Sequence, residues 1–146
     1  MKKHTLKCLH ILLVVGMVFM GVMAGCGTNA KPQFAKGIFI DSPVEGLSYI
    51  SGTVASKTLA GGVFSYQVGS QIKFYVGDLL IGAATPGPVI SPIDLVPGAT
   101  DVTHPKVVKI VKFLLALNSS VDVEQGMYID PDKHAALKGV DRKSVV

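Results

Sequence analysis

The sequence predicts a mainly β domain: a small antiparallel sandwich or partial barrel, with a proline-rich loop and one amphipathic helix, residues 105–118, packed on it. Three observations carry this prediction. Short runs rich in β-branched and aromatic residues alternate with turn signals roughly every 8–12 residues between Gly37 and Gly82. Pro86, Pro88, Pro92, Pro97 and Pro105 crowd the segment that follows, and proline withholds the donor a central strand needs. A single stretch with a 3.6-residue apolar period comes next.

The elements follow in order. Gly37-Ile38-Phe39-Ile40-Asp41 is a β-type run that Ser42-Pro43 ends. Leu47 to Thr53 reads as a second strand, and Gly61-Gly62 turns the chain into a third, Val63-Phe64-Ser65-Tyr66. Val68-Gly69-Ser70 turns again. Gln71 to Val76 has the clearest alternation: Ile72, Phe74 and Val76 share one face, and Lys73 and Tyr75 the other. Leu79-Leu80-Ile81 follows Gly77-Asp78 and closes at Gly82. Across the proline-rich loop, Val89-Ile90 and Ile93-Asp94-Leu95 are expected to tuck onto the core. Thr103 or His104 is the expected helix cap, with Pro105 in the first turn. Val107, Ile110, Val111, Leu114 and Leu117 form the apolar stripe, and Asn118 the stop. Met127-Tyr128-Ile129 reads as a last strand. Asp130-Pro131-Asp132 starts a short helix through Leu137, and the tail from Lys138 reads as solvated.

The chain has 146 residues, a formal net charge of +4 and 49% hydrophobic residues, with a mean hydropathy of +0.47 and a pI near 9.1. These values invite membrane and nucleic-acid readings, and both trace largely to the first 25 residues. Lys2, Lys3 and Lys7 form a basic start, and no acid precedes Asp41. The apolar run from Ile11 to Ala24 contains two glycines and is fourteen residues long, short of the roughly 20 a spanning helix needs. Small residues Ala24 and Gly25 lead to Cys26. This is the layout of a secretory signal. Beyond it, eleven basic residues face ten acidic ones, too balanced for a nucleic-acid partner.

Val22-Met23-Ala24-Gly25-Cys26 resembles a bacterial lipobox, with Met23 where leucine is usual. The resemblance implies cleavage between Gly25 and Cys26 and a diacylglycerol thioether on Cys26. Each buried acyl CH₂ then contributes about 0.8 kcal/mol to anchoring. The alternative is an ordinary secretory leader with a chance cysteine. Cys8 lies in the leader, so no disulfide with Cys26 is expected. Gly27 stands where inner-membrane lipoproteins of Gram-negative cells commonly carry aspartate, which favours the outer membrane. The expected organisation is a lipoprotein signal peptide at 1–25, a lipidated tether at 26–36, a β-rich domain with one helix at 37–130, and a short helix with a solvated tail at 131–146.

Several elements form a wider pattern: Asp41-Ser42-Pro43-Val44-Glu45-Gly46-Leu47-Ser48-Tyr49, Ser51-Gly52-Thr53, Gly62-Val63-Phe64-Ser65-Tyr66, Ile72 to Asp78, Pro92 to Val96, and Leu114 to Asn118. The segment from Asp41 to Ile129 resembles a domain of uncharacterised bacterial surface lipoproteins and adhesin-like proteins. The resemblance implies a β-sandwich and a binding or structural role, and relatives that continue further than this chain. It also implies a cation loop after the helix, where relatives often carry alternating aspartates. Here Asn118, Ser120 and Asp122 keep the spacing with one carboxylate, and Val121 stands in place of the turn glycine. Charge count tunes Ca²⁺ affinity, so Asn118, Ser120 and Asp122 are a degenerate candidate set expected to bind Ca²⁺ weakly or not at all, and a helix cap and turn is the preferred reading of this loop.

Other chemistry is sparse. Gly52 to Thr58 superficially matches a phosphate loop, but Ser56 replaces the second glycine and no helix follows. His104 and His134 are the histidines beyond the leader; the first reads as a helix-cap residue and the second as solvated. No nucleophile and base constellation assembles, so no catalysis and no cofactor beyond the Cys26 lipid are expected. Lys106, Lys109 and Lys112 lie away from the helix stripe, suited to anionic headgroups or to a solvated face. Tyr49, Tyr66, Tyr75 and Tyr128 are candidates for a recognition face. The expected function is that of a lipid-anchored envelope protein, structural or adhesin-like. Its partners would be the membrane, through the lipid, and an envelope protein or surface ligand. The alternative is an accessory or ligand-binding lipoprotein of a transport system, which an apolar cavity under the proline-rich loop would favour.

Overall fold

Alternation of apolar and polar side chains sorts the strands into two faces, and two sheets meet on the apolar ones. In the computed structural model, residues 31–40, 42–122 and 125–140 are described. The predicted signal peptide at 1–25, the cleavage pair Gly25 and Cys26 and the end of the tail lie outside the described residues. The domain is mainly β, with nine strands in three small sheets among the described residues and one long helix. It is a small sandwich, and no closed barrel is found among those residues.

The first sheet has the order β5-β1-β8, built from β1 (Phe34–Phe39), β5 (Val63–Gln67) and β8 (Val89–Ile90). The second has the order β4-β3-β6-β7, from β3 (Ser48–Ser51), β4 (Val54–Lys57), β6 (Ile72–Val76) and β7 (Leu79–Ala84). A two-stranded ribbon pairs β2 (Val44–Glu45) with β9 (Met127–Tyr128). The helices are α1 (Pro105–Leu117) and the short α2 (Pro131–Ala136).

Four differences from the sequence reading have local physical causes. The domain begins at Phe34, inside the stretch read as tether, because Phe34, Ala35 and Lys36 pair with Gln67, Tyr66 and Ser65. The strand read from Leu47 to Thr53 ends at Ser51, where Gly52, at a φ of 56°, turns the chain back as β4 over Val54–Lys57. β7 continues through Gly82 to Ala84, past the expected stop. The sandwich is not wholly antiparallel: β8 runs parallel to β1, and β9 parallel to β2. Parallel neighbours require long crossovers, and the proline-rich segment and α1 lie along them. Proline lacks a donor but keeps its carbonyl, and Pro88 O accepts from Ile38 N at 3.0 Å, so β8 can form an outer strand of the first sheet.

A bulge re-aims β7. Phe74 faces Gly82 while Tyr75 faces Leu80, so Ile81 is the extra residue and turns into the core, fully buried. Gly82 is required there, since a Cβ would stand 2.7 Å from Leu95 Cβ. That close approach seats Leu95 and Val96, both buried, so the proline-rich segment tucks onto the core as expected.

At α1, His104 is the N-cap, accepting from Lys106 N at 3.3 Å, and Pro105 opens the first turn. Thr103 instead bonds Asp101 through both its amide and its hydroxyl, and these bonds hold the Asp101 carboxyl below its ordinary pKa. Val107, Ile110 and Leu114 are buried, and Val111 and Leu117 pack half-buried against the same core. Each fully buried aliphatic side chain stabilises by roughly 1.5–3 kcal/mol. Asn118 ends the helix in extended backbone.

Two buried hydroxyls have opposite surroundings. Thr58 Oγ1 donates to Val44 O at 2.6 Å and accepts from Leu47 N at 2.9 Å, bridging the loop that carries β2. Ser51 Oγ is buried with no hydrogen-bond partner. Removing a satisfied buried group strands its partners at a cost of about 1–3 kcal/mol, whereas removing an unsatisfied one does not. Thr58→Val is therefore expected to lose about 1–3 kcal/mol in urea denaturation. Ser51→Ala is expected to keep or raise the midpoint.

Candidate functional site

Among the described residues, the four-stranded sheet buries one face and leaves the other largely open. Cross-strand register places Lys57, Ser48, Tyr75 and Leu80 in one row across the open face, and Ala55, Ile50, Lys73 and Ala83 in the next. Ile50 is 46% exposed at the middle of it. The surface is therefore apolar along its centre, with lysines interspersed. A depression of about 550 Å³ opens there, lined by Ile50, Ala55, Tyr75, Asp78 and Leu80 among others.

A second depression, about 340 Å³, adjoins the first through Ser48, Gly77 and Asp78 and reaches α2, adding Lys57, His134 and Lys138. The sequence reading of His134 is corrected here. It is 7% exposed, not solvated. Its Nε2 lies 2.8 Å from Gly46 O, and its Nδ1 accepts from Gly77 N at 3.0 Å. A carbonyl on one side and an N–H on the other fix the neutral tautomer with the proton on Nε2. Burial pushes its pKa below the ordinary value, and the Gly46 bond opposes that shift. The nearby Lys57 lowers the pKa further.

Asn118, Ser120 and Asp122 come together as a hydrogen-bonded turn. Asn118 Oδ1 accepts from Ser120 N at 2.9 Å and Tyr128 N at 3.0 Å, while Nδ2 donates to Ser120 O. Ser120 Oγ donates to Asp122 O, and Asp122 Oδ2 accepts from Gln125 Nε2 at 2.8 Å. The Asn118 side chain thus serves the backbone that joins α1 to β9, the role of a cap and turn. Lys106, Lys109 and Lys112 are all exposed on α1. The tyrosines do not form one recognition face. Tyr49 and Tyr66 sit in the core, and Tyr49 Oη accepts from Ser65 N at 2.9 Å. Tyr75 is half-buried on the open sheet face and Tyr128 is exposed elsewhere. Thr58, the last residue of the stretch that superficially matches a phosphate loop, is buried by its Val44 and Leu47 bonds.

The missed feature is the His134 bridge. No local signal marks it, since its partners lie 88 and 57 residues away. Gly77 offered an indirect one, a glycine after a strong strand. Its φ is 59°, and a Cβ there would meet His134 O and Leu137 O at 2.7 Å.

No family model matches the chain, and no curated protein or solved structure shows significant similarity to it.

Ligand linkage supplies a test of the Asn118 loop. A Ca²⁺ site with Kd near 0.1 mM would add about 1.4 kcal/mol at 1 mM Ca²⁺. With the side chains of Asn118, Ser120 and Asp122 all hydrogen-bonded within the turn, the expected melting shift at that concentration is below about 2 °C, and a rise above about 4 °C overturns the turn reading.

Proposed function

We propose that this chain is a lipid-anchored envelope protein with a structural or adhesin-like binding role and without catalysis. The carrying observation is the placement of Cys26 directly behind a basic start, an apolar run and two small residues. The domain resemblance to bacterial surface lipoproteins points the same way. No helix among the described residues is long and apolar enough to cross a membrane. On this reading the acyl chains on Cys26 carry the attachment. With Gly27 after the cysteine, the outer membrane is the favoured site in a Gram-negative cell.

The open sheet face around Ile50, Tyr75 and Leu80 supports a binding role, because it offers apolar area beside Lys57 and Lys73 that no other described residue covers completely. A transport component would be better served by a cavity beneath the proline-rich segment. Ile90, Leu95 and Val96 of that segment are buried against the core, and a depression of about 260 Å³ opens at its start, lined by Tyr66, Thr85 and Pro86 among others. The exposed Lys106, Lys109 and Lys112 of α1 are suited to anionic headgroups once the anchor holds the domain near them.

Intact mass and detergent partitioning test the anchor. The processed wild-type chain is expected to begin at Cys26, to carry the added mass of the lipid and to enter the detergent phase. Cys26→Ser is expected to lose both signatures, and a wild-type chain with neither would sink the proposal.

A further inference from the structure

We propose that His134 is an acid-released latch, holding α2 across the β6–β7 turn and the Gly46 loop when its ring is neutral and letting go when the ring takes a second proton. The latch is independent of the lipid anchor. Its geometry is specific: the ring accepts a proton donor from Gly77 on one side and donates to Gly46 O on the other, joining three segments that are remote in the chain. Nδ1 is the atom a second proton would occupy. Once protonated it becomes a donor facing the Gly77 N–H, and a backbone amide cannot reverse its role. The ring must then leave or the amide must turn away.

α2 depends on this bridge. It has six residues, far below the length at which a helix persists alone. Its remaining ties to the sheet are few: Asp78 N donates to Leu137 O at 3.2 Å, and Gly139 N to Asp78 Oδ2 at 2.9 Å. Leu137 packs half-buried against the core. Both hydrogen bonds converge on Asp78 in the β6–β7 turn, so breaking the imidazole bond to Gly77 loosens the same junction that they serve.

The surrounding charges do not favour an imidazolium. Lys57 faces the ring from β4, and Lys138 lines the same depression one turn beyond it. Lys133 adjoins it on α2. Asp78 lies in the depression, but its Oδ2 receives the Gly139 amide. Asp130, one turn before, is occupied capping Asp132 N, and Glu45 precedes Gly46 on the ribbon. Burial acts in the same direction as the lysines. A histidine whose native pKa is depressed leaves the folded protein with fewer bound protons than the unfolded chain. Its stabilisation is therefore full above the unfolded value of about 6.5 and lost as the pH falls below it, by up to about tenfold in the equilibrium per pH unit. Release exposes the depression beside Lys57 and Asp78, so an acidic medium would reshape that end of the open sheet face.

Amide exchange and imidazole nitrogen shifts of the full chain in detergent micelles, followed from pH 7.5 to 5.0, test the latch. At pH 7.5 the ring is expected to show the Nε2–H tautomer with the Gly77 amide protected. Toward pH 5 the protection factors of Gly77, Asp78 and Gly139 are expected to fall at least tenfold while Phe74, in the middle of β6, holds. In His134→Gln the three amides are expected to show no such pH step. A Gly77 protection factor that stays constant down to pH 5.0 overturns the proposal, whether or not the His134 ring titrates in that range. So does a parallel loss at Phe74, which would mean global unfolding. The wild-type titration decides the matter even if the variant does not fold.

Discussion

The two sheets are joined by a cluster of aromatic rings, and the rest of the domain is arranged around it. Phe74 of β6 stands edge-on to Phe39 of β1 at 5.1 Å and to Phe64 of β5 at 5.7 Å. Tyr49 closes the group against Phe64 and Phe74, and Tyr66 extends it along β5. Edge-to-face geometry lets each ring meet its neighbour's electron-rich face with a positive edge, adding about 0.5–1.5 kcal/mol per pair beyond burial. Because these rings come from alternate positions, they fix which face of each strand looks inward. A one-residue slip of β6 would place Lys73 and Tyr75 in the core. The same register leaves Ile50, Tyr75 and Leu80 on the opposite face, so the open surface is a direct consequence of the aromatic clamp.

Outside the two main sheets the chain has little ladder to satisfy its backbone, and side chains substitute. Thr58 pairs the polar groups of Val44 and Leu47. Asn118 receives the amides of Ser120 and Tyr128 and so holds the start of β9. His134 joins Gly46 and Gly77. Buried backbone donors and acceptors must find partners somewhere, and a two-residue strand such as β2 or β9 offers few. Asn118, read as one end of a degenerate cation loop, has a structural task that uses the same oxygen a cation would need.

The proposed anchoring and the domain divide the work. On that reading, acyl chains on Cys26 supply membrane attachment, and the sandwich offers a surface. The apolar centre of the open sheet is interspersed with lysines, Lys73 opposite Ile50 and Lys57 toward the edge, and acid release of α2 would alter one end of it. A surface placed in the envelope meets external pH directly, which gives a histidine latch a physical input that an intracellular domain would rarely see.

The sequence by itself determined the elements whose signal is local. The alternation of Ile72, Phe74 and Val76 marked β6, because a strand buries every second side chain. The spacing of Val107, Ile110 and Leu114, with His104 and Pro105 ahead of them, marked α1 and its start. Asp130-Pro131 marked the start of α2. Each depends on residues within one or two turns of each other. Only the tertiary structure decided the parallel pairing of β8 with β1 and of β9 with β2, the return of Val54–Lys57 as a strand beside β3, and the burial of Tyr49, Tyr66 and His134. Parallel pairing is set by where a long crossover returns, which no local period records. The environment of His134 is set by two backbone groups distant in the chain. A histidine in a polar hexapeptide looks solvated until folding brings Gly46 and Gly77 to its ring, and that encounter turns a bland residue into a buried bridge.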